Sequence, residues 1–306
     1  MPPGTRRLPE AAPDRPDGTA ARAQVGYLAD GDAEYGDKKR GEDDADHNVC
    51  GAGSLTTWLE CEGGQAMPEA RHRRRPHTIL ASMNVHGGRR VDGTPFDVVA
   101  ACRQLQADVI VLQEAWWPAG QPDPVAEAAQ ALGGWAIRAD LLADTQLRSL
   151  RIAPDDGPGR WGLAVLTALP VTGYEVVDLG RAPGDEFSRA AQLVTVTTPA
   201  GDSLRVANAH LTFRLLSPLQ LVRLARHLAV STVPTVIAGD LNMPGPVSGV
   251  AVGYSPAVQG RTFPADRPLV QLDHMLTGRA VRSGEGEVLP PAGSDHLPIR
   301  ACLRVV

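Results

Sequence analysis

From residue 77 onward the chain consists of short, unbroken apolar runs that stop on polar side chains: HTILASMN, ADVIVLQE, GLAVLTALPV and TVIAGDLN. Such runs are shorter than typical helices. They are also too continuous for strands with one face in water. They describe sheets covered on both faces, by helices or by a second sheet. The pattern predicts strands over 77–84, 107–114 and 162–171, and a hairpin over 190–210 that turns at Pro199-Ala200-Gly201-Asp202. Further strands fall in TVIAGDLN, at 269–276 and at 294–305. Helical spacing occurs over roughly 96–106 and 217–230, the second behind Ser217-Pro218, a pair suited to a helix start. The piece 118–160, with QPDP and APDDGPGR, reads as the longest variable loop, and no internal repeat is evident. In VIAGDLNMPGP, Gly239 is followed by Asp240 and Asn242. Two residues apart on a strand point to one face, so this pair is expected to project together.

Residues 1–76 are different. They carry DGDAEYGDKKRGEDDAD and scattered Pro and Gly without hydrophobic periodicity, so they are expected to be a disordered extension. RHRRR at 71–75 reads as a solvated linker rather than a phosphate-contacting patch. The remainder, 77–306, reads as one domain.

Composition narrows the function classes. The 306 residues carry a net charge of −5. That argues against a sequence-independent nucleic-acid binder, which needs many cationic phosphate contacts, but not against a nucleic-acid substrate. Cys50, Cys61, Cys102 and Cys302 show no CxxC spacing, so neither a disulfide framework nor a Cys-based zinc site is expected. There is no apolar run of about 18 residues, hence no membrane span is expected. The N-terminus has no Sec-type hydrophobic stretch, and the expected location is the cytoplasm. Nothing in the sequence speaks to oligomeric state.

The strand ends are where chemistry collects. Successive runs end on Asn84, on Gln113 and Glu114, on Asn208 and His210, on Asp240 and Asn242, on Asp273, and on Asp295 and His296. One Asp in a turn is ordinary turn chemistry. Acids, amides and imidazoles at the ends of five or more separate strands are not explained that way. Ser294-Asp295-His296 is no serine-hydrolase triad, because three consecutive residues cannot take triad geometry. HExxH spacing, a GxSxG elbow and a Walker A loop are all missing.

The ordered series ASMNVHGG, DVIVLQE, ANAHL, VIAGDLN, QLDHML and SDHLPI resembles the endonuclease/exonuclease/phosphatase superfamily, with its deoxyribonuclease-I-like fold. GDLN and SDHLP are the most specific of these motifs. The resemblance implies an α+β, four-layer αββα sandwich and metal-dependent cleavage of phosphate esters. By the family pattern Glu114 is the first metal ligand, with Asn84 beside it and Asp295 as a further carboxylate. The implied cofactor is Mg²⁺ or Mn²⁺, which prefers oxygen ligands. The pattern also implies that Asp240 orients or deprotonates the attacking water, and that Asn242 holds the phosphate or that water. His296 would sit against the phosphate as electrostatic stabiliser or proton carrier, with Asp273 fixing it, and His210 would donate to a phosphate oxygen or assist the leaving group. Arg189, in FSRAAQLV, is similar to an arginine that some family nucleases use on phosphate, and Asn208 is placed with it as a substrate contact. His86 and His274 are expected to be supporting residues, and Trp116 and Trp117 to pack or to stack on a base.

The expected reaction is phosphodiester hydrolysis, on a nucleic acid, a lipid or a small phosphodiester. The alternatives are a phosphomonoesterase acting on sugar or inositol phosphates and a non-catalytic binding relative. The latter would lack Glu114, Asp240 or His296, and all three are present.

Overall fold

The computed structural model describes residues 76–153, 157–213, 215–245, 247, 251 and 253–306. The expected N-terminal extension, with RHRRR, Cys50 and Cys61, lies outside the described residues apart from Pro76.

Two six-stranded sheets lie face to face. The first contains β1 (Thr78–Asn84), β2 (Val109–Pro118), β3 (Trp135–Thr145), β4 (Gly159–Thr167), and β11 and β12, defined below. The second contains β5 (Val171–Gly180), β6 (Arg189–Thr197), β7 (Ser203–Ala209), β8 (Thr235–Asp240), β9 (Ser255–Pro256) and β10 (Asp273–Thr277). β11 (Val281–Val288) and β12 (Ile299–Val305) close the chain on the first sheet, which runs β11-β12-β1-β2-β4-β3. The second runs β5-β6-β7-β8-β10-β9.

Each sheet has one parallel pair, and a helix bridges it. α1 (Val98–Leu105) joins β1 to β2, and α3 (Ser217–Leu228) joins β7 to β8. α2 (Pro124–Ala131) follows β2.

Alternation along the strands builds the layers. Leu80, Val109 and Val111 face Val194, Val206, Val236 and Ala238 between the sheets. Their neighbours Ala81, Met83, Ile110 and Leu112 pack outward on Val98, Ala101, Leu105 and Ala128 of α1 and α2. On the other side Leu193, Ala207 and Ile237 pack on Leu221, Leu224 and Leu228 of α3. This is the expected αββα sandwich, and it explains why the runs are continuous: both faces of each central strand are buried.

Several expectations change. The run 162–171 is the end of β4, a turn and the first residue of β5, and 294–305 is strand only from Ile299. The piece 118–160 is not a long loop, because α2 and all of β3 lie in it. Within 269–276, only the part from Asp273 on is strand. Leu269 to Leu272 instead lead in through a bridge between Phe263 and Val270. Trp116 and Trp117 continue β2 and are buried, the latter in the core under α2, so neither is open to a base. Cys102 is buried and Cys302 partly so, and both are free thiols. No helix among the described residues is long and apolar enough to cross a membrane.

Candidate active site

The ends of the central strands of both sheets meet at one cavity of about 710 Å³. Glu114, His210, Asp240, Asn242, Asp295, His296, Arg189 and His86 line it.

Glu114 reaches the cavity through an irregularity. It holds a left-handed φ of 56°, and the register of β2 against β4 shifts between Leu112 and Ala115. The bulge turns one side chain off the strand's alternation. Asn84, at the end of β1, donates through Nδ2 to Glu114 Oε1 and to Asp240 Oδ2, at 3.1 Å each. Its Oδ1 accepts from the His86 backbone N–H at 3.0 Å. One amide therefore joins a carboxylate of the first sheet to one of the second.

Asp240 ends β8 and is 2% exposed. Asn242 reaches the same cavity, but not by strand alternation. β8 stops at Asp240, and Asn242 has a left-handed φ of 50°. Its backbone N–H donates to Asp240 Oδ1 at 2.9 Å, and its Nδ2 donates to the Leu211 carbonyl at 3.0 Å. Asn242 thus clamps Asp240 and the segment after His210, with one of its two side-chain N–H groups used on protein.

His296 Nδ1 and Asp273 Oδ2 are hydrogen-bonded at 2.8 Å, and His296 Nε2 lies 3.7 Å from Asp240 Oδ2. Burial works against charge on this ring, but the carboxylates of Asp273 and Asp240 outweigh it and lift its pKa to about 10. His210 Nε2 lies 3.7 Å from both Glu114 Oε1 and Asp240 Oδ2. Burial, with Arg189 and His296 adding repulsion, holds its pKa well below the usual value. The two histidines are therefore set up differently, His296 charged and His210 neutral at pH 7. Burial pushes the Glu114 carboxyl upward, and burial together with Asp273 and Glu114 pushes Asp240 to about 7.

Arg189, the first residue of β6, is 7% exposed. Its guanidinium lies over the Phe187 ring at 4.7 Å and 3.9 Å from Asp185 Oδ2. Its Nε and Nη1 are buried without a hydrogen-bond partner among the described residues. An orphaned cationic donor pair in a cavity-lining residue suits an anion.

Other expected residues fall elsewhere. Asn208 does not line the cavity and is fully buried. Its Nδ2 donates to the carbonyls of Leu112 and Ala164, at 3.0 Å each, and its Oδ1 accepts from Gln113 Nε2 at 2.8 Å. The expected substrate contact is corrected to a bridge between the sheets, because the side chain is fully buried between them and away from the cavity. His274 Nε2 is bonded to the Met243 carbonyl at 2.9 Å, a supporting role as expected.

Asp185 gave no sequence signal. Its Oδ1 accepts from Thr212 Oγ at 2.8 Å and its Oδ2 from the Ala182 N–H at 3.1 Å, tying the loop before Arg189 to the segment after His210. The i,i+4 spacing to Arg189 is the only hint, and in a loop that spacing means little.

The residues fit a divalent cation. Glu114, partly exposed, and Asp240, buried, are two carboxylates that share one amide donor, and each has its pKa raised. A hard cation with oxygen ligands would relieve that excess of negative charge. Asp240, Asp273 and His296 also bring ligand atoms within 4.8 Å of one another. The His296–Asp273 hydrogen bond already uses part of that set, so the Glu114 side offers the freer oxygen donors.

Residues 81–296 match the sequence model of the Endonuclease/Exonuclease/phosphatase family. No curated protein matches the sequence. Among solved structures, the chain is similar to an endonuclease/exonuclease/phosphatase from Beutenbergia cavernae, with 22% identity, a TM-score of 0.59 and coverage of 76% of this chain and 72% of that one. It is similar to the human Nocturnin catalytic domain at 16% identity and a TM-score of 0.56, over 76% of this chain and 94% of that one. It is also similar to a mannosyl-6-phosphatase from Bacteroides thetaiotaomicron at 14% identity and a TM-score of 0.56, over 74% and 99%. At these identities the structural likeness speaks to the fold, while the match over 81–296 reaches from β1 to the loop before β12 and takes in every strand end that meets the cavity. The chain belongs to the endonuclease/exonuclease/phosphatase family, whose members are phosphoric ester hydrolases.

Proposed function

We propose that the protein is a divalent-metal-dependent phosphodiesterase. The observation that carries this reading is the arrangement of two carboxylates, the partly exposed Glu114 and the buried Asp240, with a charged His296 and Arg189, whose Nε and Nη1 lack a hydrogen-bond partner among the described residues, around one cavity. Acid without cation would repel a phosphate, and cation without a base would only bind it. This cavity has both.

Glu114, with Asn84 and Asp295 near it, would hold Mg²⁺ or Mn²⁺. When bound, the ion neutralises charge on the phosphate. The rest is work for the chain's own side chains. Asp240, held by the Asn242 backbone N–H and by Asn84, orients a water and accepts one of its protons. The water oxygen bonds to phosphorus. The bond from phosphorus to the leaving oxygen breaks with its electron pair on that oxygen, which takes a proton from solvent in the open cavity. His296, fixed by Asp273, offers positive charge to the non-bridging oxygens. Arg189 adds positive charge beside the same group, and neutral His210 can donate one hydrogen bond.

The test is hydrolysis of bis(p-nitrophenyl) phosphate and of p-nitrophenyl phosphate, each with Mg²⁺, Mn²⁺ or EDTA, beside Asp240→Ala. Expected is metal-dependent diester cleavage that falls at least about a hundredfold in the variant, the scale of losing a general base. Cleavage of the monoester alone would replace this reading with a phosphomonoesterase. Failure of Mn²⁺ to raise the melting temperature would remove the metal site.

A further inference from the structure

The cavity is chemically two-sided. Its floor is the cluster of acids and histidines. One wall is hydrocarbon: Leu150, Ile152, Trp161 and Phe187 line the cavity and belong to one packed apolar group. Phe263, whose ring centroid is 4.8 Å from that of His296, and Phe213 add aromatic surface on the cavity lining. Phe213 is 61% exposed, and Leu215 and Leu219, at 96% and 64%, leave further apolar surface open nearby in the chain. At about 710 Å³ the space is of small-molecule size, larger than one phosphate group fills. Part of the organic portion of the ester must therefore lie inside it.

Three kinds of organic portion can be compared with these walls. A nucleic-acid strand needs a row of cations for successive phosphates. Among the described lining residues only Arg151 and Arg189 carry a permanent positive charge, and Glu186 and Asp185 oppose them. A sugar needs partners for its hydroxyls, or it loses hydrogen bonds on leaving water. The polar groups of the lining sit on the catalytic side, and the side chains of Leu150, Ile152 and Phe187 have no polar atom to give a hydroxyl. An apolar portion needs only surface to cover, and the wall supplies it.

We infer that the substrate is a phosphodiester with a single phosphate and one apolar arm, alkyl or aryl, that lies along the Leu150–Ile152–Trp161 wall. The inference rests on the phosphodiesterase reading above and narrows its substrate class. It makes Ile152 and Phe213 specificity residues that do not touch the reacting atoms.

The test holds the leaving group constant. The methyl, butyl, octyl and phenyl esters of p-nitrophenyl phosphate are compared with thymidine 5′-p-nitrophenyl phosphate, in Mn²⁺, by kcat/KM. Expected is a rise of two- to fourfold per methylene from methyl to butyl, about fourfold being the limit for a fully buried methylene. The octyl and phenyl arms should both exceed thymidine, and their ratio says whether the wall prefers chain or ring. Ile152→Ser should flatten the series. Phe213→Ser, at an exposed position, gives a second reading if the first variant does not fold. A flat series in the wild type, an unchanged slope in both variants, or preference for the thymidine arm would overturn the inference while leaving the phosphodiesterase reading standing. No turnover of any diester, methyl included, would remove both.

Discussion

His210 and His296 lie within 3.7 Å of the same Asp240 oxygen, yet their protons are held in opposite ways. The difference is Asp273, which is fully buried and bonded to His296 alone of the two. A histidine whose pKa is raised on folding stabilises the fold fully below its unfolded pKa of about 6.5. That contribution is lost as pH rises through the folded value, here about 10. In EDTA, the gap in unfolding free energy between wild type and Asp273→Asn should therefore be widest near pH 6 and narrow steadily toward pH 10. Urea titrations at several pH values would measure it, and a gap that grew with pH would contradict this account. The same scale shows what sequence can and cannot tell. Glu114, Asp240 and His296 were legible because acid and imidazole ending an apolar run have few other uses. Asn208 carried an identical signal, but a strand end pointing between the sheets looks, in sequence, like one pointing at a ligand. Asp185 was silent because its partner Thr212 is 27 residues away.

At the level of elements, the GDLN motif needs its glycine for a steric reason. Gly239 has φ 141°, and a Cβ placed there would stand 2.0 Å from the Ala209 carbonyl oxygen. The close approach of β8 to the end of β7 is what puts Asp240 beside His210, with the Leu211 N–H donating to the Asp240 carbonyl at 3.0 Å. Gly239→Ala should destabilise the protein by more than about 3 kcal/mol, since both space and backbone conformation oppose it. Thermal melting checks this, and a variant within about 0.5 kcal/mol of wild type would show the strands can part freely. Central strands such as β1, β2 and β8 were plain from their unbroken runs. α2 and β3 were not. α2 has only eight residues, although Asp123-Pro124 is a good helix start and Asp123 Oδ1 does accept from the Val125 and Ala126 N–H groups. β3 ends its sheet, half exposed, so its pattern is mixed. The glycine-broken, largely exposed β11, at the other end, escaped notice for the same reason.

Across the whole molecule, Asn208 is one polar fastening of a largely apolar interior, and Gln192 on β6, which donates to the Ile137 carbonyl on β3, is another. Asn208 sits on β7 of the second sheet and donates to carbonyls on β2 and β4 of the first. Asn208→Ala would leave the Leu112 and Ala164 carbonyls and Gln113 Nε2 short of a partner in a dry core. The expected cost is about 3–5 kcal/mol, read by chemical denaturation, with a smaller loss expected for a change on the solvent side of α3. The consequence reaches beyond stability. Glu114 and Asn84 ride on one sheet, and Asp240, Asp273 and His210 on or just past strands of the other, so the reaction centre straddles a seam. A slip of one residue along that seam, roughly 3.3 Å, would be longer than the hydrogen bond that Asn84 stretches between the two carboxylates. The centre is thus a vernier for the alignment of the two halves: it reads true only when the sheets are in register, and the buried amides of Asn208 and Gln192 are the pins that keep the scale from sliding.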